Sequence, residues 1–288
     1  MSLFQLALAQ TKAKKTDNGY AIEEIDKSYG DYYSLHSDTM NKDFPVLVFL
    51  PDSYKKDKSE YNVVYMLHGV NGSALTEEGI RSMNHNKTGL KEAATNYNVI
   101  IVCPLVGNKY YLNSPIYKND KYASLIGVEL VNFVENKFRT IKNRKNRIVA
   151  GFSMGGYGAV SMVCRYPETF SIAISRGGAL DTKTLIEDLH WDDATNEALG
   201  SYWQNQQQHH LNGCLNLLNR VRDRRDVAFV LEVGREDFLY KSNKKVEAKL
   251  KETGLPYIFA EYPGGHAWSK NCLNSMLTHM QYFVDTRK

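Results

Sequence analysis

The sequence predicts a mainly parallel, doubly wound α/β sheet flanked by helices, and three observations carry that prediction. Short apolar runs rich in Val and Ile recur along the chain, helical patterns separate most of them, and one long polar stretch breaks the rhythm. Runs apolar at every position fit strands covered on both faces, and alternation with helices is the pattern of parallel pairing through crossovers.

The strand-like runs are Val46-Phe49, Val63-Leu67, Val99-Cys103, Arg147-Phe152, Phe170-Ser175, Ala228-Val233 and Tyr257-Glu261. Helical patterns fall at Ser124-Phe138, where Leu125, Val128, Val131 and Val134 recur at helical spacing, at Gly156-Arg165, and at the Lys- and Glu-rich Lys241-Lys251. Tyr20-Leu35 and Phe44-Pro51 leave little room for a helix between them, so they read as antiparallel strands at one edge. The polar stretch Asp181-Asp226, with Gln206-Gln207-Gln208-His209-His210, is far longer than a usual connection and reads as a cap-like helical insertion over the active-site edge. Residues 20–288 are thus expected to form a single domain, preceded by an N-terminal segment, 1–19.

Composition narrows the function. With 288 residues, 43% of them hydrophobic, the chain can bury a full core. A net charge of +4 is small, and the densest basic cluster, Lys142, Arg144, Lys145 and Arg147, contains no aromatic residue for base stacking. It reads as a solvated turn, and no nucleic-acid partner is expected. No run approaches the ~18 apolar residues of a membrane span, so no membrane partner is expected either. Cys103, Cys164, Cys214 and Cys272 are widely spaced and form no Cys/His cluster, so no metal site is expected. Ala7-Leu8-Ala9 has the small-x-small form of a signal-peptidase site without the charged start. It reads as a truncated leader, which would place the natural protein in a secreted or periplasmic setting, or as a frayed terminus compatible with the cytoplasm.

The chemistry centres on Gly151-Phe152-Ser153-Met154-Gly155, a G-x-S-x-G pattern. It stands where a strand run ends and a helix can begin, which is the strand-turn-helix context that presents a serine on a sharp turn. A protonated alcohol is a poor nucleophile, so Ser153 needs a base, and the base needs an acid to fix its tautomer. His266 follows the last strand-like run and precedes the last helix, and Gly264-Gly265 lets its loop turn inward. Asp237 follows the strand run before it; Glu236 is a neighbouring competitor, while Asp181 and Asp226 stand at less suitable places. The developing oxyanion requires backbone N–H donors, expected from Met154 and from Val70 in His68-Gly69-Val70-Asn71-Gly72, with Gly69 and Asn71 as neighbours. His68 itself reads as a structural hydrogen-bonding group.

These residues resemble the putative-esterase family of α/β-hydrolases, which includes esterase D (S-formylglutathione hydrolase), tributyrin esterases, feruloyl esterases and mycolyltransferases. The likeness spans about Phe44 to Val284. It is carried by Leu67-His68-Gly69, by Gly151 to Ala159, by Gly234-Arg235-Glu236-Asp237-Phe238-Leu239-Tyr240 and by Gly265-His266-Ala267-Trp268. In such relatives the residue after the base is often acidic, whereas here it is Ala267. The resemblance implies the α/β-hydrolase fold and hydrolysis without metal or cofactor.

Tyr110 and Tyr111, in the loop after Val99-Cys103, are expected at the carboxyl edge of the sheet, where open α/β folds bind ligands. Trp191, Tyr202 and Trp203 in the insertion are expected to face them, and Trp268 lies beside the base. Flat aromatic faces suit a sugar ring or a phenolic acyl group; the alternative is that these rings pack the insertion onto the sheet. The expected function is a serine carboxylesterase acting on short-chain or aromatic acyl esters, carbohydrate-linked acetyl or feruloyl esters among them. The alternatives are a thioesterase acting on S-formylglutathione, an acyltransferase, or a noncatalytic binding protein of the same fold.

Overall fold

The computed structural model describes residues 14–15, 21–22, 31–70, 89–191, 193, 195–268 and 270–286. The leader-like residues 7–9, most of the first expected strand, and Asn71 and Gly72 lie outside the described residues. Two short strands, Lys14–Lys15 and Ala21–Ile22, pair antiparallel apart from the main sheet.

Among the described residues the main sheet has eight strands: β1 Asp31–Ser37, β2 Lys42–Phe49, β3 Asn62–Leu67, β4 Val99–Pro104, β5 Arg147–Phe152, β6 Ile172–Arg176, β7 Ala228–Gly234 and β8 Tyr257–Tyr262. They stand in the order β8-β7-β6-β5-β3-β4-β2-β1. From β4 to β8 every pair is parallel, in registers such as Val63 with Ile100, Val64 with Ile148 and Ile174 with Val230. β2 runs antiparallel to β4, and β1 to β2, so the antiparallel edge expected from the first apolar segments is present.

Each helix is placed by the face of the sheet it covers. α1 (Gly89–Asn96) and α8 (Lys270–Thr286) cover one face, where Leu90, Ala93, Leu273, Met276 and Met280 pack on Val64, Met66, Ile148, Ile172 and Val230. α2 (Leu130–Lys137), α3 (Met154–Arg165) and α7 (Tyr240–Thr253) cover the other, packing on Val63, Tyr65, Val149, Phe229 and Leu231. Successive strand residues thus enter opposite cores, which is why the runs are apolar at every position rather than at alternate ones.

Between β6 and β7 the chain is helical, as the polar stretch predicts: α4 (Asn196–Leu199), α5 (Tyr202–Asn212) and α6 (Cys214–Leu217) follow a π-turn at Thr184–Asp188. Leu185, Ile186, Cys214 and Leu217 are fully buried in the second core, and the Tyr157 hydroxyl on α3 donates to the Asn212 carbonyl at 2.8 Å. Much of this segment is therefore fastened to the flank of the sheet.

Candidate functional site

The site forms at the carboxyl end of the sheet beside the switch point, where the chain leaves β3 for β4 on one side and returns to β5 on the other. β5 ends at Phe152 and α3 starts at Met154, so Ser153 alone makes the turn, with φ 57° and ψ −118°. A side-chain-bearing residue in that conformation is strained and needs its surroundings to hold it. The Ser153 N–H donates to the Arg176 carbonyl at 3.0 Å, while its own carbonyl accepts from Tyr157 and Ala179 at 3.1 and 3.0 Å. The flanking glycines permit the close approach this requires, because a Cβ on Gly155 would lie 2.0 Å from the Leu67 carbonyl oxygen.

Asp237 follows β7 and is buried. Its Oδ2 lies 2.8 Å from His266 Nδ1, and its Oδ1 accepts the Leu239 N–H at 2.8 Å, so both carboxylate oxygens are engaged and the group is fixed in rotation. An Nδ1–H donated to a carboxylate leaves Nε2 as the basic nitrogen of a neutral ring. The loops carrying Asp237 and His266 are joined by backbone: Arg235 N–H donates to the Tyr262 carbonyl and Glu236 N–H to the Gly264 carbonyl. Gly177, at φ +49°, closes the floor, since a Cβ there would meet Asp237 Oδ2 at 2.8 Å and His266 Nδ1 at 3.1 Å.

The competing acids have other partners. The Glu236 side chain accepts the Gly264 N–H, Asp181 accepts from Thr184 and Lys245, and Asp226 pairs with Arg144 and Arg224. His209 joins Thr195 and the Gly200 carbonyl, away from this site. His68 is fully buried, and burial depresses its pKa to about 4. It is therefore neutral, donating from Nδ1 to the Gly69 carbonyl at 3.0 Å and accepting the Val106 N–H on Nε2 at 3.1 Å. The ring fastens the start of the Gly69-Val70 turn to the loop after β4. That turn passes close to Ser153, for a Cβ on Gly69 would come within 3.2 Å of Ser153 Cβ. Met154 is the first residue of α3, whose leading N–H groups have no partner within the helix. Of the two expected oxyanion donors, Met154 directly follows Ser153 and Val70 directly follows Gly69.

The aromatic expectations divide. Tyr110 and Tyr111 lie in the core instead of lining an open edge: both take φ of 50°, which folds the loop under α3. Tyr111 then donates to the His68 carbonyl at 2.8 Å, and Tyr110 packs edge-on to Tyr157. Gly158 makes room for this, as a Cβ there would strike the Tyr111 ring at 2.5 Å. Trp268 is likewise buried, 5.6 Å from Phe152 between ring centroids, so it supports the site from inside. Trp203 is exposed on α5 with its ring against Tyr202. Trp191 reaches the site through Phe238, 5.0 Å from its ring, and Phe238 lies 4.5 Å from His266.

Sequence reasoning missed three groups. Phe152, the variable residue of the G-x-S-x-G pattern and the one before Ser153, stacks on His266 at 4.5 Å and 28°. Phe238 directly follows Asp237, and that adjacency was the available signal. Arg176 and Glu232 form a buried ion pair of 2.6 Å behind the site. The Arg176 guanidinium lies 3.5 Å over the Tyr262 ring, and the Glu232 carbonyl accepts the Gly177 N–H at 2.7 Å. Nothing in the strand runs marked these two as partners, because pairing across β6 and β7 depends on register.

Chains of known type share this framework. Esterase MT1326 of Mycobacterium tuberculosis is 24% identical over 284 residues, a match covering 87% of this chain and 59% of that protein, so the chain spans about three-fifths of that relative's length. The acetyl esterase of Caldicellulosiruptor saccharolyticus is 25% identical over 256 residues, covering 82% of this chain and 91% of its own. Among solved structures, a ferulic acid esterase superposes with a TM-score of 0.70 at 23% identity, covering 88% of this chain and 97% of that one, and shares the α/β-hydrolase fold. The model of the esterase family described as "Putative esterase" matches residues 37–283, and the chain belongs to that family.

Proposed function

We propose that the protein is a serine carboxylic ester hydrolase working through an acyl-enzyme, with Ser153 as nucleophile, His266 as base and Asp237 as supporting acid. The observation that carries this reading is the imidazole of His266, held by Asp237 at 2.8 Å and stacked on Phe152, the residue before a serine at a strained strand-to-helix turn. Ser153 Oγ attacks the acyl carbonyl carbon as its proton passes to His266 Nε2, and the carbonyl oxygen takes up negative charge facing the N–H groups of Met154 and Val70. The tetrahedral intermediate collapses with cleavage of the bond to the alcohol oxygen, which receives the proton from His266. Water then repeats the sequence on the Ser153 ester, releasing the carboxylic acid and restoring the hydroxyl.

The substrates are small-molecule esters with short-chain or aromatic acyl groups, including acetyl or feruloyl esters of carbohydrates. Support comes from the names borne by an acetyl esterase relative and a ferulic acid esterase neighbour, together with the exposed rings near His266. A fluorophosphonate probe tests the mechanism: it is expected to add once, at Ser153, in a sample that cleaves 4-nitrophenyl acetate, and to fail on Ser153→Ala. An adduct on a different serine, or cleavage by Ser153→Ala at the wild-type rate, would sink it.

A further inference from the structure

Five rings run in a row through the base. Trp268 meets Phe152 at 5.6 Å, Phe152 meets His266 at 4.5 Å, His266 meets Phe238 at 4.5 Å, and Phe238 meets Trp191 at 5.0 Å. The row begins in the core and ends in solvent: Trp268 is 8% exposed, Phe238 38% and Trp191 45%. The inner half explains how the imidazole is held. The outer half exposes two large apolar faces beside a polar site, and supporting His266 does not require Trp191 at all.

We propose that Phe238 and Trp191 form the binding face for the alcohol half of the ester and set the selectivity of the enzyme among leaving groups, favouring aryl and sugar alcohols. The inference rests on His266 being the base. Proton delivery requires the leaving oxygen to lie at His266 Nε2, so the atoms attached to that oxygen must lie against whatever borders the imidazole on its solvent side. Phe238 and then Trp191 occupy that border. The acyl group extends from the carbonyl carbon on the other bond, beside Ser153 and the Gly69-Val70 turn. An aromatic ring, or the C–H face of a sugar, gains stacking contact with such rings, whereas a two-carbon alcohol is too short to reach them. Phe238 is fixed next to Asp237 in sequence, while Trp191 comes from the segment between β6 and β7, so that segment contributes one side chain to alcohol selection while it packs mainly on the flank.

The experiment measures kcat/KM, which reports the steps through alcohol release, for phenyl acetate, methyl glucoside 6-acetate, ethyl acetate and ethyl butyrate. Trp191→Ala and Phe238→Leu are expected to lower the ratios of the phenyl and glucoside esters to ethyl acetate about five- to tenfold, the scale of a lost aromatic contact, and to leave butyrate against acetate unmoved. Phe238→Tyr should retain the wild-type ratios. Fluorophosphonate labelling of Ser153 is followed in every variant, so that loss of the base reading, seen as no wild-type adduct, is distinguished from loss of this one. Equal losses across all four esters would reduce Phe238 and Trp191 to supports of the imidazole. A shifted butyrate-to-acetate ratio with unchanged alcohol ratios would assign the face to the acyl group; either result overturns the proposal.

Discussion

Among the described residues, two histidine–carboxylate pairs with a buried carboxylate have nearly the same length, and they are built for different ends. His266 Nδ1 lies 2.8 Å from Asp237 on the loops at the carboxyl end of the sheet; His279 Nδ1 lies 2.7 Å from Glu232, between α8 and β7. The distances do not separate them, but the other partners do. Glu232 also accepts from Arg176 at 2.6 Å and from Ser275 at 2.9 Å, so a buried guanidinium already balances its charge. Asp237 takes its second bond from the neutral Leu239 N–H, and its charge acts on the ring of His266. A carboxylate can support a developing imidazolium only with charge that has not been neutralised elsewhere.

The largest expected effect falls on the first pair. Asp237→Asn should lower kcat for an activated ester by ~10⁴-fold while the midpoint of urea unfolding stays close to wild type; a loss of only two- or threefold would place the two pairs on equal terms. For the second pair the deficit should appear in stability instead. Glu232→Gln leaves the Arg176 guanidinium buried without a counter-charge and should cost about 3–5 kcal/mol in urea unfolding. If Glu232→Gln instead unfolds at the wild-type midpoint, Arg176 has found another partner.

A third histidine sharpens the contrast by having no carboxylate partner among the described residues. His68 titrates near 4 in the folded chain against 6.5 when unfolded, so between those values the unfolded state binds more protons and stability rises with pH. Its contribution is complete above pH 6.5 and is lost as pH falls through 4, a change of about 3 kcal/mol at most. His68→Asn should flatten the dependence of Tm on pH in that window even if it lowers Tm throughout. The smallest effect is expected for His279→Gln, which removes one of three donors to Glu232: about 1 kcal/mol of stability and less than threefold in kcat. A tenfold loss in kcat would mean that the second pair reaches the site through Gly177.

Most of the sheet could be read from the sequence because β3, β4, β5 and β7 are buried on both faces, and that demand leaves continuous apolar runs such as Val99-Cys103. The places of Ser153, Asp237 and His266 at strand ends, and the meeting of the last two, were legible for a related reason: loops at the carboxyl ends of strands gather at one edge of this architecture. The tyrosines misled because composition describes a loop but not its direction, and two left-handed residues at 110 and 111 turn theirs inward. Phe152, Arg176 and Glu232 escaped notice because their parts depend on neighbours distant in sequence, Arg176 and Glu232 being 56 positions apart.

The four buried thiols have a practical consequence for watching this molecule move. Cys103, Cys164, Cys214 and Cys272 are all buried, divided between the two cores, and burial pushes the first three up and away from the reactive thiolate. An alkylating reagent therefore meets a silent background while the fold is closed, and its slow uptake counts core openings, with Cys103 and Cys272 reporting from one side of the sheet and Cys164 and Cys214 from the other. Against that background a single cysteine introduced at the exposed position of Trp203 is a selective attachment point for a fluorophore, placed on the segment between β6 and β7.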